Sequence, residues 1–378
     1  MAQPAPPQHT NFATWAVSTH GLKTTSIAPA LIPGAGLGVI ATADIPAGTV
    51  IAVTPRAALL NRDTVRSFAP LLPAAEALGT HALLALALAV ERRNQKNPWW
   101  TWMQTFPSLS EGLRGLPLLW SEAEKALLPR SARRLLTAME TRLKTDWAAV
   151  RAVAMVHEAT FRWAWAVVNT RTLFYPHRAR RGEEDKGGNM TMCPFIDYFN
   201  HTSLPTACTA TLTEAGYSVT TTTDISCGEE IFVAYGHHSS DFLLVEYGFV
   251  PESNHWDALL LDPWLEPLLA KRETLLREQG YWRNWVLDKS GWCYRTEVAV
   301  RLLVAGEGRW WRFLAGEEGG EIESAKVKGV IGGIVTAVEE ESKEALGKGG
   351  EGEVFEMVKQ RWGQVNGILE EVRKTLEE

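Results

Sequence analysis

Short apolar runs separated by turn residues occupy two stretches of the chain, and longer helix-forming runs fill the rest. Residues 37–42 and 49–53 read as strands. Between them, Asp44-Ile45-Pro46-Ala47-Gly48 carries the Pro and Gly of a turn, so residues 31–60 predict a β-hairpin opening a sheet. Strand patterns return over 207–212, 217–223 and 230–234, the first two joined through 213–216 as a hairpin. A short helix is expected over 241–246.

The helical signal begins with the Ala/Leu-rich segment 81–93. Ser121-Glu122-Ala123-Glu124 supplies an N-cap and first-turn acids for a helix over 121–128, and 132–150 and 156–168 continue the pattern. This helical block, about 61–165, lies between two sheet-forming segments and so reads as an insertion. Beyond residue 262 the chain is helical over 264–279, 295–305, 326–345 and 352–377, with Gly/Glu/Lys-rich loops between the last of these. Residues 1–11, rich in Pro and Gln, are expected to be a flexible terminus. The organisation is therefore α+β: a sheet domain over 12–262 with its insertion, then a helical C-terminal domain over 263–378.

Composition narrows the function. The 378 residues are 46% hydrophobic, enough for real cores, and carry a net charge of -6. That balance excludes a generally basic nucleic-acid binder. Basic clusters at Arg130, Arg133 and Arg134, and at His177, Arg178, Arg180 and Arg181, read as solvated surface. Most of the 16 tryptophans read as core or domain-interface residues. Cys193, Cys208, Cys227 and Cys293 form no C-x-x-C pair, which argues against structural zinc and for reduced thiols in the cytoplasm or nucleus. The N-terminus lacks a secretory pattern, and the apolar run 82–90 is too short to span a bilayer. No membrane partner and no metal are expected.

Candidate chemistry collects between Cys193 and Phe249. Gly34-Ala35-Gly36-Leu37-Gly38 fails the dinucleotide pattern, because the third glycine falls at Val39, and reads as a tight turn. His201, His237 and His238 lack metal-ligand spacing, and Cys193 with His201 lacks an orienting third group. Tyr235 ends an apolar run and precedes Gly236, so its hydroxyl can face a cleft or a core. Asn200-His201 fits a turn after a buried strand.

Taken in order, Gly36-Leu37-Gly38 with ATADIPAGTVI, Asn169-Thr170-Arg171, FIDYFNH, GEEIFVAYG and LLVEYGF resemble the SET-domain protein methyltransferases. The nearer likeness is to the branch of the Rubisco large-subunit lysine methyltransferases and the actin-histidine methyltransferase. The resemblance covers residues 34–250 and implies a SET β-fold with a knot-like crossing. It implies S-adenosyl-L-methionine as cofactor, held by Gly36, Leu37, Gly38, Arg171, Asn200, His201 and Tyr235. Tyr235 matches the catalytic tyrosine. Leu173, Ile196, Asp197, Tyr247 and Phe249 match positions around the substrate channel.

The implied activity is protein-lysine N-methylation of a non-histone protein by a monomeric enzyme. A histidine acceptor and a non-catalytic SET-fold scaffold are the alternatives. Leu173 and Ile196 stand where the histidine-specific relative has Asn and Trp, which favours lysine. Where family members often carry Ser-Asn, this chain has Ser239-Ser240, which predicts loss of an amide hydrogen bond.

Overall fold

The structure is a computed structural model and describes residues 2–70, 73–109, 112–176, 189–317 and 321–377. The basic run at His177 to Arg181 lies outside the described residues. The chain forms two compact units, Met1–Arg114 with Met139–His237, and Gly115–Ala138 with His238–Glu378.

The first unit carries strands β1 (Gln3–Pro4), β2 (Lys23–Thr24), β3 (Ile27–Ile32), β4 (Gly36–Ala41), β5 (Val50–Pro55), β6 (Thr172–Phe174), β7 (Met190–Met192), β8 (Asn200–His201), β9 (Thr209–Leu212), β10 (Gly216–Thr220) and β11 (Phe232–Val233). They form small sheets in the orders β1-β3-β4, β2-β5-β10-β9, β6-β7 and β11-β8. The β9–β10 hairpin forms as its turn residues predict, with Tyr217 opposite Leu212.

The strands over 37–42 and 49–53 also form, but they do not pair with each other. β4 pairs with β3 through the Gly34 turn, and β5 pairs with β2 and β10. The reason lies in the Asp44–Gly48 turn, which is fastened to a distant segment. Ile45 bridges Ile225, the Ala47 amide donates to Asp224 Oδ1 at 2.8 Å, and the Cys227 amide donates to Asp44 Oδ1 at 2.9 Å. The turn carries the chain from one sheet to another.

The flexible stretch expected over residues 1–11 is likewise corrected. Gln3–Pro4 pairs with Leu31 and Ala30, and a helix runs over Pro7–His20. Proline at the first helical position costs no hydrogen bond, and buried Phe12 and Ala16 dock the helix.

The Ala/Leu segment folds as the helix Thr80–Glu91, buried almost all round, against the helix Glu158–Arg171. Its His81 stacks on Trp165 at 4.2 Å, and His81 Nε2 lies 3.0 Å from the Trp165 carbonyl. Asp146 Oδ2 accepts from Trp165 Nε1 at 2.8 Å.

The second unit holds a small sheet that the sequence pattern did not announce: β12 (Leu259–Leu260), β13 (Val286–Asp288) and β14 (Gly291–Trp292). Ser121 and Glu124 make the reciprocal cap that their spacing predicts. Residues 264–279 are not one helix. Helix Asp262–Leu269 gives way to a tight turn at Ala270–Arg272 and a second helix, Glu273–Glu278. Pro267, which has no amide to donate, sits within the first helix.

Arg361, on the C-terminal helix Glu353–Glu377, is fully buried. Its Nε meets Asp241 Oδ1 at 2.6 Å and its Nη1 meets Asp257 Oδ2 at 2.7 Å. Arg130 and Arg133 pair with Glu341, and Arg134 pairs with Glu266, so this basic cluster is spent on ion pairs within its own unit.

Burial holds the His81 pKa down at about 4, against 6.5 in an unfolded chain. The unfolded state therefore binds the extra proton first as pH falls. Stability is full above pH 6.5 and declines toward pH 4, by on the order of 3 kcal/mol from this group. Urea midpoints measured across that range should fall less in a His81→Phe protein than in the wild type; equal slopes would contradict the assignment.

Candidate functional site

The site is built where two short strands run side by side. β8 pairs with β11 in parallel, Phe232 opposite Asn200 and Val233 opposite His201. Parallel neighbours need a long connection, and here it contains the β9–β10 hairpin. Beyond β11 the chain reaches Tyr235, whose amide donates to His201 Nδ1 at 3.1 Å. That bond makes Nδ1 the unprotonated ring nitrogen. The Tyr235 hydroxyl donates to the Phe199 carbonyl at 2.8 Å, and the Tyr235 and His201 rings lie 5.2 Å apart. With its proton directed to Phe199, the phenol oxygen is held in a fixed direction.

The strand-like run before Tyr235 also touches β4. Ile40 bridges Glu230, the Ile231 amide donates to the Val39 carbonyl, and the Ala41 amide donates to the Glu229 carbonyl. Glu230 is thereby placed over Gly38. A Cβ at Gly38 would lie 2.8 Å from Glu230 Oε1, 2.8 Å from Ile32 Cγ1 and 2.9 Å from Asn200 Nδ2. Only a glycine admits this approach. Asn200 Nδ2 donates to Glu230 Oε1 at 2.8 Å. Burial raises the Glu230 pKa, tempered by the Asn200 bond. Gly36, with φ +77, has open space where its Cβ would be. Leu37 pairs with Leu31 and is half-buried.

Arg171 ends the helix Glu158–Arg171 and donates from Nη1 to Asp197 Oδ2 at 2.9 Å. Asp197 lies in a single tight turn, Ile196–Tyr198, entered from Phe195 at φ 73 and ψ -41. A buried non-glycine residue there stores local strain. Burial pushes the Asp197 carboxyl up and Arg171 opposes it. His9 Nδ1 lies 2.9 Å from the Tyr198 hydroxyl, and burial followed by the Arg171 charge lowers the His9 pKa.

Gly38, Asn200, His201 and Tyr235 are thus linked through Glu230 and Phe199, and Arg171 and Asp197 form a pair. Leu173 lies on β6 opposite Thr191, half-buried, and Ile196 is buried beside Asp197. Tyr247 and Phe249 fall in the second unit, their rings 6.4 Å apart, with the Tyr247 pKa pushed up to about 12 by burial and then by Glu246. Among the described residues no cluster of His, Cys, Asp and Glu could hold a metal. No helix among them is long and apolar enough to cross a membrane.

Sequence reasoning missed Glu230 and the Phe199 carbonyl. The Gly228-Glu229-Glu230 run was visible, but nothing local says which acid turns inward. Ser240 lacks a side-chain amide, as the sequence has it, but makes hydrogen bonds of its own. Its amide donates to Asp257 Oδ1 at 2.9 Å, and its hydroxyl accepts from Asn254 Nδ2 at 3.3 Å.

The family described as SET domain matches residues 36–236, more than half of the chain. This chain belongs to the SET-domain family. It is 29% identical to the ribosomal lysine N-methyltransferase set11 of Schizosaccharomyces pombe, over 77% of this chain and 74% of that protein. It is 24% identical to the SET domain-containing protein 4 of Homo sapiens, over 77% of this chain and 72% of that one. The solved structure of Rubisco LSMT bound to AdoMet superposes with a TM-score of 0.69 at 18% identity, covering 99% of this chain and 92% of that one. This last likeness is one of fold. Within the matched span the parallel β8–β11 pair brings Asn200-His201 beside Phe232-Val233.

The donor set suits S-adenosylmethionine. Gly36 offers bare backbone beside open space, Arg171 offers guanidinium N–H groups suited to a carboxylate, and Asn200 keeps its amide oxygen. Gly38→Ala should force apart Glu230, Ile32 and Asn200. Titration calorimetry with S-adenosylhomocysteine should then show an affinity at least about tenfold weaker; unchanged affinity would remove Gly38 from the site.

Proposed function

We infer that this chain is an S-adenosylmethionine-dependent protein-lysine N-methyltransferase acting on a non-histone protein. The observation that carries this reading is the placement of Tyr235 against His201 and the Phe199 carbonyl by the parallel β8–β11 pair. When bound, the cofactor supplies an electrophilic methyl group on a sulfonium.

The chain's own residues do the rest. Arg171, held by Asp197, presents positive charge suited to the cofactor's carboxylate. Gly36, Leu37 and Gly38 offer close backbone approach, and Asn200 and His201 the adjoining polar edge. The Tyr235 oxygen is fixed by its bond to Phe199 and can orient an incoming amine and the polarised methyl group. In-line displacement by nitrogen calls for alignment and a neutral amine rather than an acid–base pair. An apolar approach favours the neutral form of lysine by desolvation. Leu173 and Ile196 place no side-chain amide or indole at positions suited to an imidazole, which supports lysine over histidine.

The relatives named ribosomal lysine N-methyltransferases support a ribosomal protein as the acceptor. The free thiols support a cytoplasmic or nuclear enzyme, and the negative net charge supports action on protein rather than nucleic acid.

The test is methyl transfer from labelled S-adenosylmethionine into an extract of cells lacking this protein, followed by hydrolysis of the labelled band. Methyl-lysine is the expected product; methylhistidine would overturn the acceptor, and no label would favour a scaffold. On the same acceptor, Tyr235→Phe should lower the rate by about 10²-fold or more while S-adenosylhomocysteine affinity stays within about threefold. Full activity would remove Tyr235 from the chemistry.

A further inference from the structure

Glu230 has no role in the reading above, yet it sits at the centre of the cofactor cradle. Its carboxylate meets Asn200 Nδ2 at 2.8 Å, and both atoms lie within 2.9 Å of where a Gly38 Cβ would be. It is held there from both sides of the chain. Ile40 bridges Glu230, and the neighbouring Glu229 carbonyl and Ile231 amide bond to β4. These backbone bonds fix where the side chain starts, and its hydrogen bond to Asn200 fixes where the carboxylate ends.

The bond decides which way an ambiguous group points. A side-chain amide has a donor end and an acceptor end, and a carboxylate only accepts. Nδ2 must face Glu230, so Oδ1 is the end left for a ligand. A ligand group that satisfies an amide oxygen is a donor. Of the donors on S-adenosylmethionine, the adenine amine and ribose hydroxyls are neutral, and the α-ammonium is charged. Only the charged one gains from a carboxylate directly behind the amide.

We propose that Glu230 is a positioning residue: it locks the Asn200 amide with its oxygen toward the cofactor's α-ammonium group and so makes binding selective for an amino-acid-bearing nucleoside. This rests on the assignment of the cofactor site. Glu230 acts through Asn200 and through its charge, without touching the methyl group or the acceptor nitrogen. Arg171, whose guanidinium suits the carboxylate, and Asn200 with Glu230 behind it then discriminate the two ends of one zwitterion.

The experiment compares two ligands by titration calorimetry on the full chain. One is S-adenosylhomocysteine; the other is the same thioether with its α-amino group replaced by hydrogen. The proteins are the wild type, Glu230→Gln and Glu230→Ala, each checked by thermal melting. The wild type should prefer the amino ligand by tenfold or more, as a charge-assisted hydrogen bond implies. In Glu230→Ala most of that preference should vanish, with the amino ligand weakened about tenfold and the desamino ligand changed less than about threefold. Glu230→Gln, which can still accept from Nδ2 but carries no charge, should fall between.

Equal weakening of both ligands would mean a purely structural role and overturn the proposal. A retained preference in both variants would overturn it as well. If Glu230→Ala does not fold, the isosteric Gln protein alone decides by the same ratio. A wild type that binds neither ligand would instead overturn the cofactor site, and this role with it.

Discussion

Everything in the site hangs on the parallel pairing of Asn200-His201 with Phe232-Val233. Those few backbone bonds bring Tyr235 to the His201 ring and the Phe199 carbonyl. They also fix where the run before Tyr235 passes β4, and hence where Glu230 lands over Gly38. Isolated two-residue strands would not persist in water. They persist here because their neighbours are tied independently: Cys208 bridges Val233, and the 221–227 segment is pinned to the Asp44–Gly48 turn.

The site's electrostatics follow from burial. Asp197 is driven toward its neutral form by desolvation and restrained by Arg171; Glu230 is driven the same way and restrained by Asn200. Each acid holds a group proposed to face the cofactor, Asp197 holding Arg171 and Glu230 holding Asn200. Such carboxylates orient donors and balance charge. This fits a displacement in which the leaving group is a neutral thioether and the nucleophile arrives uncharged. An enzyme of this kind needs aim more than proton traffic.

Much of this was legible in the chain. The strands at 37–42, 207–212 and 217–223, the Ala/Leu helix and the Ser121 cap were written in local patterns, and the structure has them with ends within about three residues. The ordered motifs from Gly36 to Tyr235 pointed to the site. Partnership was not legible. β4 and β5 look like two arms of one hairpin, because the turn between them carries ordinary turn residues. What separates them is its attachment to residues about 180 positions away, which no local pattern encodes. The same holds at Gln3–Pro4, whose partners are Ala30 and Leu31, and at Glu230, whose inward orientation is set by Ile40. Ser240 shows the same. Its hydroxyl accepts from Asn254, a partner that the local sequence does not announce.

The order of the chain adds a constraint on timing. Gly36 to Gly38 leaves the ribosome long before Asn200, and Tyr235 comes later still, yet the cradle needs all three. Such distant pairings form slowly, since the loop must close before any contact rewards it. A chain that ends before Tyr235 lacks one of the residues proposed to hold the methyl donor. Occupancy by the nucleoside would favour the closed pairing by mass action. Any ligand that binds only the closed pairing is thermodynamically coupled to its completion.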